Sequence, residues 1–252
     1  MSHHANYEAE HTPEAIRRRI QSTSKQGYLK DSVYGAIDGA VTTFAVVSSV
    51  TGAGLSSGIV IILGLANLLA DGFSMAAGNF LGTRAENQSD RKARSEEELE
   101  IEMHPEGEEE EIRQIFAAKG FQGDTLEEVV KVITSDKKRW VDTMMQEEHG
   151  VSGPSPSALK AGLATFTAFF VIGGVPLAAY LVDLLKPDMI SDPFLTSSLL
   201  TGMAFFAVGA LKSRYVEQHW TLSGFETLGV GALAAGMAYG IGLLLRPFAE
   251  GL

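Results

Sequence analysis

The chain has 252 residues with 20 Lys+Arg, 31 Asp+Glu and no Cys, giving a formal net charge of −11. This balance lacks the basic footprint of a nucleic-acid binder. The absence of Cys excludes a disulfide framework, a thiol nucleophile and a thiolate metal site. The charges are also sorted along the chain: 84–153 alone carries 10 Lys+Arg and 19 Asp+Glu, while long stretches elsewhere carry almost none.

Residues 1–32 are polar and include Arg17, Arg18 and Arg19 with no apolar core, so they do not read as a cleavable signal peptide. Within them, Thr12, Pro13 and Glu14 form the N-cap, N1 and N2 signature of a short basic helix, expected at the membrane surface. Five apolar windows follow, at 33–51, 59–82, 161–182, 194–211 and 227–245. Each approaches the roughly 20 apolar helical residues that a bilayer core of about 30 Å demands. Buried helices of a soluble core also read apolar all round, but a chain of this size rarely holds five. The lipid bilayer is therefore an expected partner.

Lys and Arg in the connecting segments set orientation. With five spans, 18 of the 20 fall on the side holding 1–32, 83–160 and 212–226, leaving Lys186 and Arg246 on the other. The N-terminus and the acidic segment are expected to face the cytoplasm. No Gly or Pro interrupts 83–104, so the second span should continue as a charged helix until His104–Pro105 ends it. Ile112, Ile115 and Phe116 mark the apolar face of a next helix stopped by Gly120. Leu126, Val129, Val130, Val132 and Ile133, then Trp140, Val141, Met144 and Met145, supply more helical apolar spacing. The expected fold is an all-α integral membrane protein: five transmembrane helices with a cytoplasmic three- to four-helix acidic domain inserted between the second and third. Its parts are a cytoplasmic N-terminal segment (1–32), spans one and two (33–82), the acidic domain (83–153) and spans three to five (154–252).

Ionisable groups at membrane depth are costly and mark pathways. Asp38 sits about five residues into the first span, about 8 Å deep, and Met75 about 10 Å from the same end of the antiparallel second span. Asp71 falls deeper by this count. Asn67, Asp71, Met75 and Asn79 recur every four residues and form one stripe, as do Asp38, Thr42, Ala45 and Ser49. Facing stripes would line a cation route, with Asp71 and Asn79 as further pathway or proton groups; the plainer reading is interhelical hydrogen bonding. Carboxylates suit hard divalent cations and a Met sulfur favours softer ones, a mixture pointing to Fe²⁺ or Mn²⁺ as the bound ion rather than a resident cofactor.

In the acidic segment, Glu97 and Glu100 are three apart on one helix and Glu108 and Glu111 three apart on the next. The His104–Pro105 turn would fold these faces together, so that clustered like charges call for a divalent counter-ion. Met144 and Glu148 would complete an oxygen-rich site with one thioether. Runs such as 108–111 are more usually solvated faces, and spacing leaves the register among adjacent Glu residues open.

The segments DSVYGAIDGAVTTFAVVSSVTGAG, ILGLANLLADGFSMAAGNFLGTRAE and WVDTMMQEEHG, in this order and separation, resemble the vacuolar iron transporter family over about 28–250. The resemblance implies a homodimer that exports Fe²⁺, often also Mn²⁺, from the cytoplasm in exchange for protons. It places cytoplasmic ligands on Glu97, Glu100, Glu108, Glu111, Met144 and Glu148, and a membrane metal site on Asp38 and Met75. Asn79 stands where many members carry Glu, which bears on the proton stoichiometry. The short N-terminus and lack of Cys point to a prokaryotic member in a plasma membrane. Ala232, Gly236 and Gly240, and Gly35 and Gly39, have the spacing of close helix contacts, within one subunit or between two. Three rival readings stand beside it: a membrane di-iron oxidase, whose Glu-x-x-His motifs the chain lacks, a metal-buffering or sensing membrane protein without transport, and a carrier whose main cargo is a different cation.

Overall fold

The computed structural model describes residues 11–21, 27–187 and 189–249. Ten helices occupy them: α1 Pro13–Gln21, α2 Leu29–Gly52, α3 Ser57–Met103, α4 Pro105–Ala118, α5 Gly123–Thr134, α6 Lys137–Glu147, α7 Ala158–Gly173, α8 Val175–Leu185, α9 Pro193–Lys212 and α10 Trp220–Ala249. Among the described residues there are no strands. Contacts divide the chain into two compact units. One comprises 84–156 with the N-terminal segment, the other 27–83 with 157–252.

The apolar unit is built on α2. A β-carbon at Gly35 would lie 2.4 Å from the Thr165 carbonyl oxygen, and one at Gly39 2.4 Å from that of Phe169, so only glycine lets α2 and α7 approach this closely. Phe44, Val47, Leu68, Phe169, Leu177, Tyr180 and Phe205 form the core between α2, α3, α7, α8 and α9. The outer faces are apolar too: Leu63, Leu69, Phe73, Leu163, Val171, Leu199, Met203, Leu233 and Leu244 are exposed. An oily outside suits lipid rather than water. Four helices (α2, α3, α9 and α10) are long and apolar enough to cross a membrane.

The third apolar window is where expectation and structure part. It is not one straight helix but the pair α7 and α8, bent by 51°, giving a fifth crossing only if the pair counts as one span. Pro176 has no N–H to offer the preceding turn and crowds the carbonyl four residues back, while Gly173 and Gly174 resist helix weakly. A sliding hydropathy count is blind to this. The Ser197 hydroxyl on α9 donates to the Pro176 carbonyl at 2.6 Å and anchors the bend.

In the acidic unit, the polar half of α3 runs unbroken to Met103, and Pro105 opens α4 at its first turn. Gly120, at φ 98°, ends the connection after α4 in a conformation that side chains resist. Ile101, Ile112, Val130, Ile133, Trp140, Val141, Met144 and Met145 form one core. Val132 lies outside it and is exposed. Asp136 caps α6 by accepting from the Arg139 N–H at 2.8 Å. Thr12 does the same for α1, its hydroxyl accepting from the Ala15 N–H at 3.3 Å, as its motif predicts. Lys25, and the side chain of Arg19, lie outside the described residues.

Candidate metal centre

In the acidic unit, neighbouring carboxylates divide sharply by whether they have a basic partner. Glu96 pairs with Lys92, Glu98 with Arg94, Glu102 with Lys137, and Glu147 with Lys119. Arg113 gathers Glu109 at 2.8 Å, Glu110 at 2.5 Å and Glu127 at 3.0 Å. Among the described residues, Glu97, Glu100, Glu108, Glu111 and Glu148 have no Lys or Arg partner. Arg113 therefore splits the acidic run: its middle two residues turn outward to the guanidinium, and Glu108 and Glu111 turn inward.

These five carboxylates act on one another electrostatically. Glu97 and Glu108 form the floor, at 1% and 6% exposure, and Met144 is fully buried in the apolar core of the same unit. Glu100, Glu111 and Glu148 are exposed and form the rim. Burial pushes the Glu108 carboxyl up to about 7, with Glu111 and Glu97 adding repulsion. Burial also raises Glu97, against a hydrogen bond from Glu108 that lowers it, and raises Glu111, helped by Glu148 and Glu100. Glu97 Oε1 and Glu108 Oε2 are buried with no hydrogen-bond partner. A buried orphaned oxygen costs about 1–3 kcal/mol, more when charged, and two carboxylates about 4 Å apart repel by roughly 4 kcal/mol at an effective dielectric of 20. A divalent cation relieves both penalties at once. Carboxylate oxygens joined by the Met144 thioether of the sequence reading would form a donor set for a borderline first-row ion.

One neighbour escaped the sequence reading. His149 Nε2 lies 3.6 Å from Glu97 Oε2, and Glu97, Glu148 and His149 each present a donor atom within 4.8 Å of the others. Its signal in the sequence is the Glu148–His149 dipeptide, which does not fit the Glu-x-x-His pattern because Gln146 stands three residues before His149.

In the apolar unit, the stripes of α2 and α3 meet in antiparallel register. Asn67 donates to the Thr42 hydroxyl at 3.5 Å, Asp71 acts electrostatically on Asp38, and Asn79 donates to Asp31 at 2.9 Å. Asp71 thus lies beside Asp38, not a level deeper. The depth count began at the apolar window, whereas the helix begins earlier, at Leu29. Asp38 is half-buried and Asp71 exposed. Met75, one turn along from Asp71, is half-buried and packs against the apolar core. Asn79 also donates to the Thr165 hydroxyl at 2.7 Å and accepts from Thr83 at 3.4 Å, so it ties α2, α3 and α7 together. Asp31, which the stripe analysis did not single out, lies seven residues before Asp38 on the same face.

The model of the VIT family matches residues 29–243, which takes in both constellations. The chain belongs to the VIT family. It is 34% identical over 231 residues to a vacuolar iron transporter of Toxoplasma gondii, covering 89% of this chain and 76% of that protein. It is 30% identical over 212 residues to vacuolar iron transporter 1 of Arabidopsis thaliana, covering 84% and 83% respectively. A vacuolar iron transporter of Plasmodium berghei is 28% identical over 225 residues. VIT-family membership together with the apolar helices makes this a membrane protein.

Proposed function

We propose that this VIT-family chain exports Fe²⁺, and Mn²⁺ as a second cargo, from the cytoplasm by exchange for protons. It would act as a secondary transporter rather than an enzyme. The observation that carries the reading is the floor of the acidic unit, where two buried carboxylate oxygens have no hydrogen-bond partner and, among the described residues, three further carboxylates without a Lys or Arg partner act on them electrostatically. Glu97, Glu100, Glu108, Glu111, Met144 and Glu148 would collect the ion on the cytoplasmic side. The cytoplasmic placement of this unit and of the N-terminus rests on the distribution of Lys and Arg.

Asp38, Asp71 and Met75 would then carry the ion through the bilayer, with Asn79 holding the helices around the route. No apolar window contains a Lys or Arg to neutralise the two Asp residues. Protonation removes a carboxylate's charge and its metal affinity together, so a proton entering from the far side would release the ion. A charge at membrane depth needs a water-lined cavity or a second copy to cover it, and Asp71 is exposed on the single chain. A homodimer is further supported on α10, where β-carbons at Gly236 and Gly240 would meet nothing within 4 Å. The expected location is a prokaryotic plasma membrane.

The reading is tested in proteoliposomes with an imposed proton gradient. Inward-acid vesicles should accumulate Fe²⁺ and Mn²⁺, and a collapsed gradient should stop them. Binding without flux would favour the alternative, a membrane-bound buffer or sensor.

A further inference from the structure

The acidic cluster offers carboxylate oxygens, yet one nitrogen is also turned toward it. Gly150, at φ 68°, takes the left-handed conformation just after α6, and the Val151 N–H bonds back to the Met145 carbonyl at 2.9 Å. This tight reversal holds His149 against the floor of the cluster. Its Nε2 stands 3.6 Å from Glu97 Oε2, too long for a good hydrogen bond. Two donors bound to one ion at about 2.1 Å each lie about 3–4 Å apart, however, which is the spacing seen. Glu97 Oε1, on the same carboxylate, is buried and unpartnered.

We propose that His149 is a metal ligand, joining Glu97 and Glu148 to give this chain a nitrogen donor in an otherwise oxygen and thioether site. The proposal rests on reading the carboxylate cluster as a metal site. Imidazole suits Fe, Zn, Ni and Cu, whereas carboxylates alone suit Mg²⁺, Ca²⁺ and Mn²⁺. A single nitrogen therefore biases the site toward late transition ions and against Mg²⁺ and Ca²⁺, which an all-carboxylate cup would also take. His149 sets selectivity, and the carboxylates set overall affinity.

The test uses the full-length protein in detergent with Mn²⁺ as the probe, read by pulsed electron paramagnetic resonance. Bound Mn²⁺ should show modulation from a directly ligated ¹⁴N, lost in His149→Leu and kept in His104→Leu. Calorimetry should show Co²⁺ and Zn²⁺ binding weakened about tenfold in His149→Leu, the scale of losing a supporting group at a metal site. Mg²⁺ and Ca²⁺ binding should shift less than about twofold, because neither prefers nitrogen. Mn²⁺ bound without nitrogen modulation, or modulation surviving in His149→Leu, overturns the His149 assignment and leaves the carboxylate site standing. No Mn²⁺ binding by the unmodified protein overturns both.

Discussion

Glu108, in the first turn of α4, and Glu97 on α3 face each other across the His104–Pro105 turn closely enough to raise the Glu108 carboxyl. Two acids so close and so buried cannot both carry charge cheaply, so a raised Glu108 keeps a proton between them near neutrality, and one oxygen of each has no partner. The proton is the counter-charge that a divalent ion would displace.

A pH dependence follows from this pair. Glu108 is raised from the ordinary 4.5 to about 7, so without metal it holds its proton up to near neutrality. Its contribution to stability is full below about 4.5 and is lost as pH rises through about 7. Metal binding needs the deprotonated form, so binding at pH 6 should release about one proton from this site and at pH 8.5 almost none. Calorimetry in buffers of different ionisation enthalpy measures the number directly; a pH-independent proton count would contradict the pairing.

Glu108→Gln keeps the shape and removes the repulsion. Without divalent ion it should raise the thermal midpoint by a few degrees, on the order of 1 kcal/mol. With Mn²⁺ it should bind at least about tenfold more weakly, about 1.4 kcal/mol. A thermal-shift titration reads both. Stabilisation and lost binding in one variant would mark a site held under strain for its ligand.

Arg113→Ala supplies the contrast. Its partners Glu109, Glu110 and Glu127 are largely exposed, and exposed ion pairs contribute about 0–1 kcal/mol each. Metal affinity should change less than about twofold, against a drop of about tenfold for Glu111→Gln, whose side chain turns the other way along the same helix. Equal effects in the two variants would mean that the whole acidic run binds diffusely.

Asp38→Asn and Asp71→Asn should each abolish proton-driven Mn²⁺ flux in proteoliposomes, while binding at the acidic unit persists. The two carboxylates act on each other, so the double variant should be no worse than either single one. Full flux in Asp38→Asn would remove it from the route.

Glycines in the apolar unit separate two roles that look alike in sequence. Gly39→Leu would drive a side chain into the Phe169 backbone, where even a β-carbon lies 2.4 Å from the carbonyl oxygen, and should abolish folded protein in a size-exclusion assay. Gly236→Ala meets open space and should leave the monomer fold intact or firmer, by up to about 1 kcal/mol of helix propensity. Gly236→Trp should weaken a dimer that uses this face, read as a mass change by light scattering.

Much of the carboxylate cluster is legible in the local sequence pattern. Carboxylate pairs at three-residue spacing on either side of His104–Pro105 point to Glu97, Glu100, Glu108 and Glu111, because helical periodicity already places each pair on one face. The charge of their neighbours was equally visible, but not which neighbours Arg113 would draw away, since that depends on Glu127 arriving from α5. His149 was hidden for a similar reason: a left-handed glycine after the helix end decides where it points.

The apolar unit divides in the same way. Hydropathy alone determined that the chain crosses lipid, since transfer free energy sums residue by residue along a helix and needs no partner. Composition likewise determined that an acidic, cysteine-free segment interrupts the spans. Tertiary structure decided the rest: that α2 and α3 cross with Asp38 level with Asp71, that Gly173–Pro176 bends the third span, and that only Glu97 and Glu108 lose water on the cluster floor. Those properties belong to pairs of distant residues. Register and burial are set by which surfaces meet, and local pattern does not contain that information.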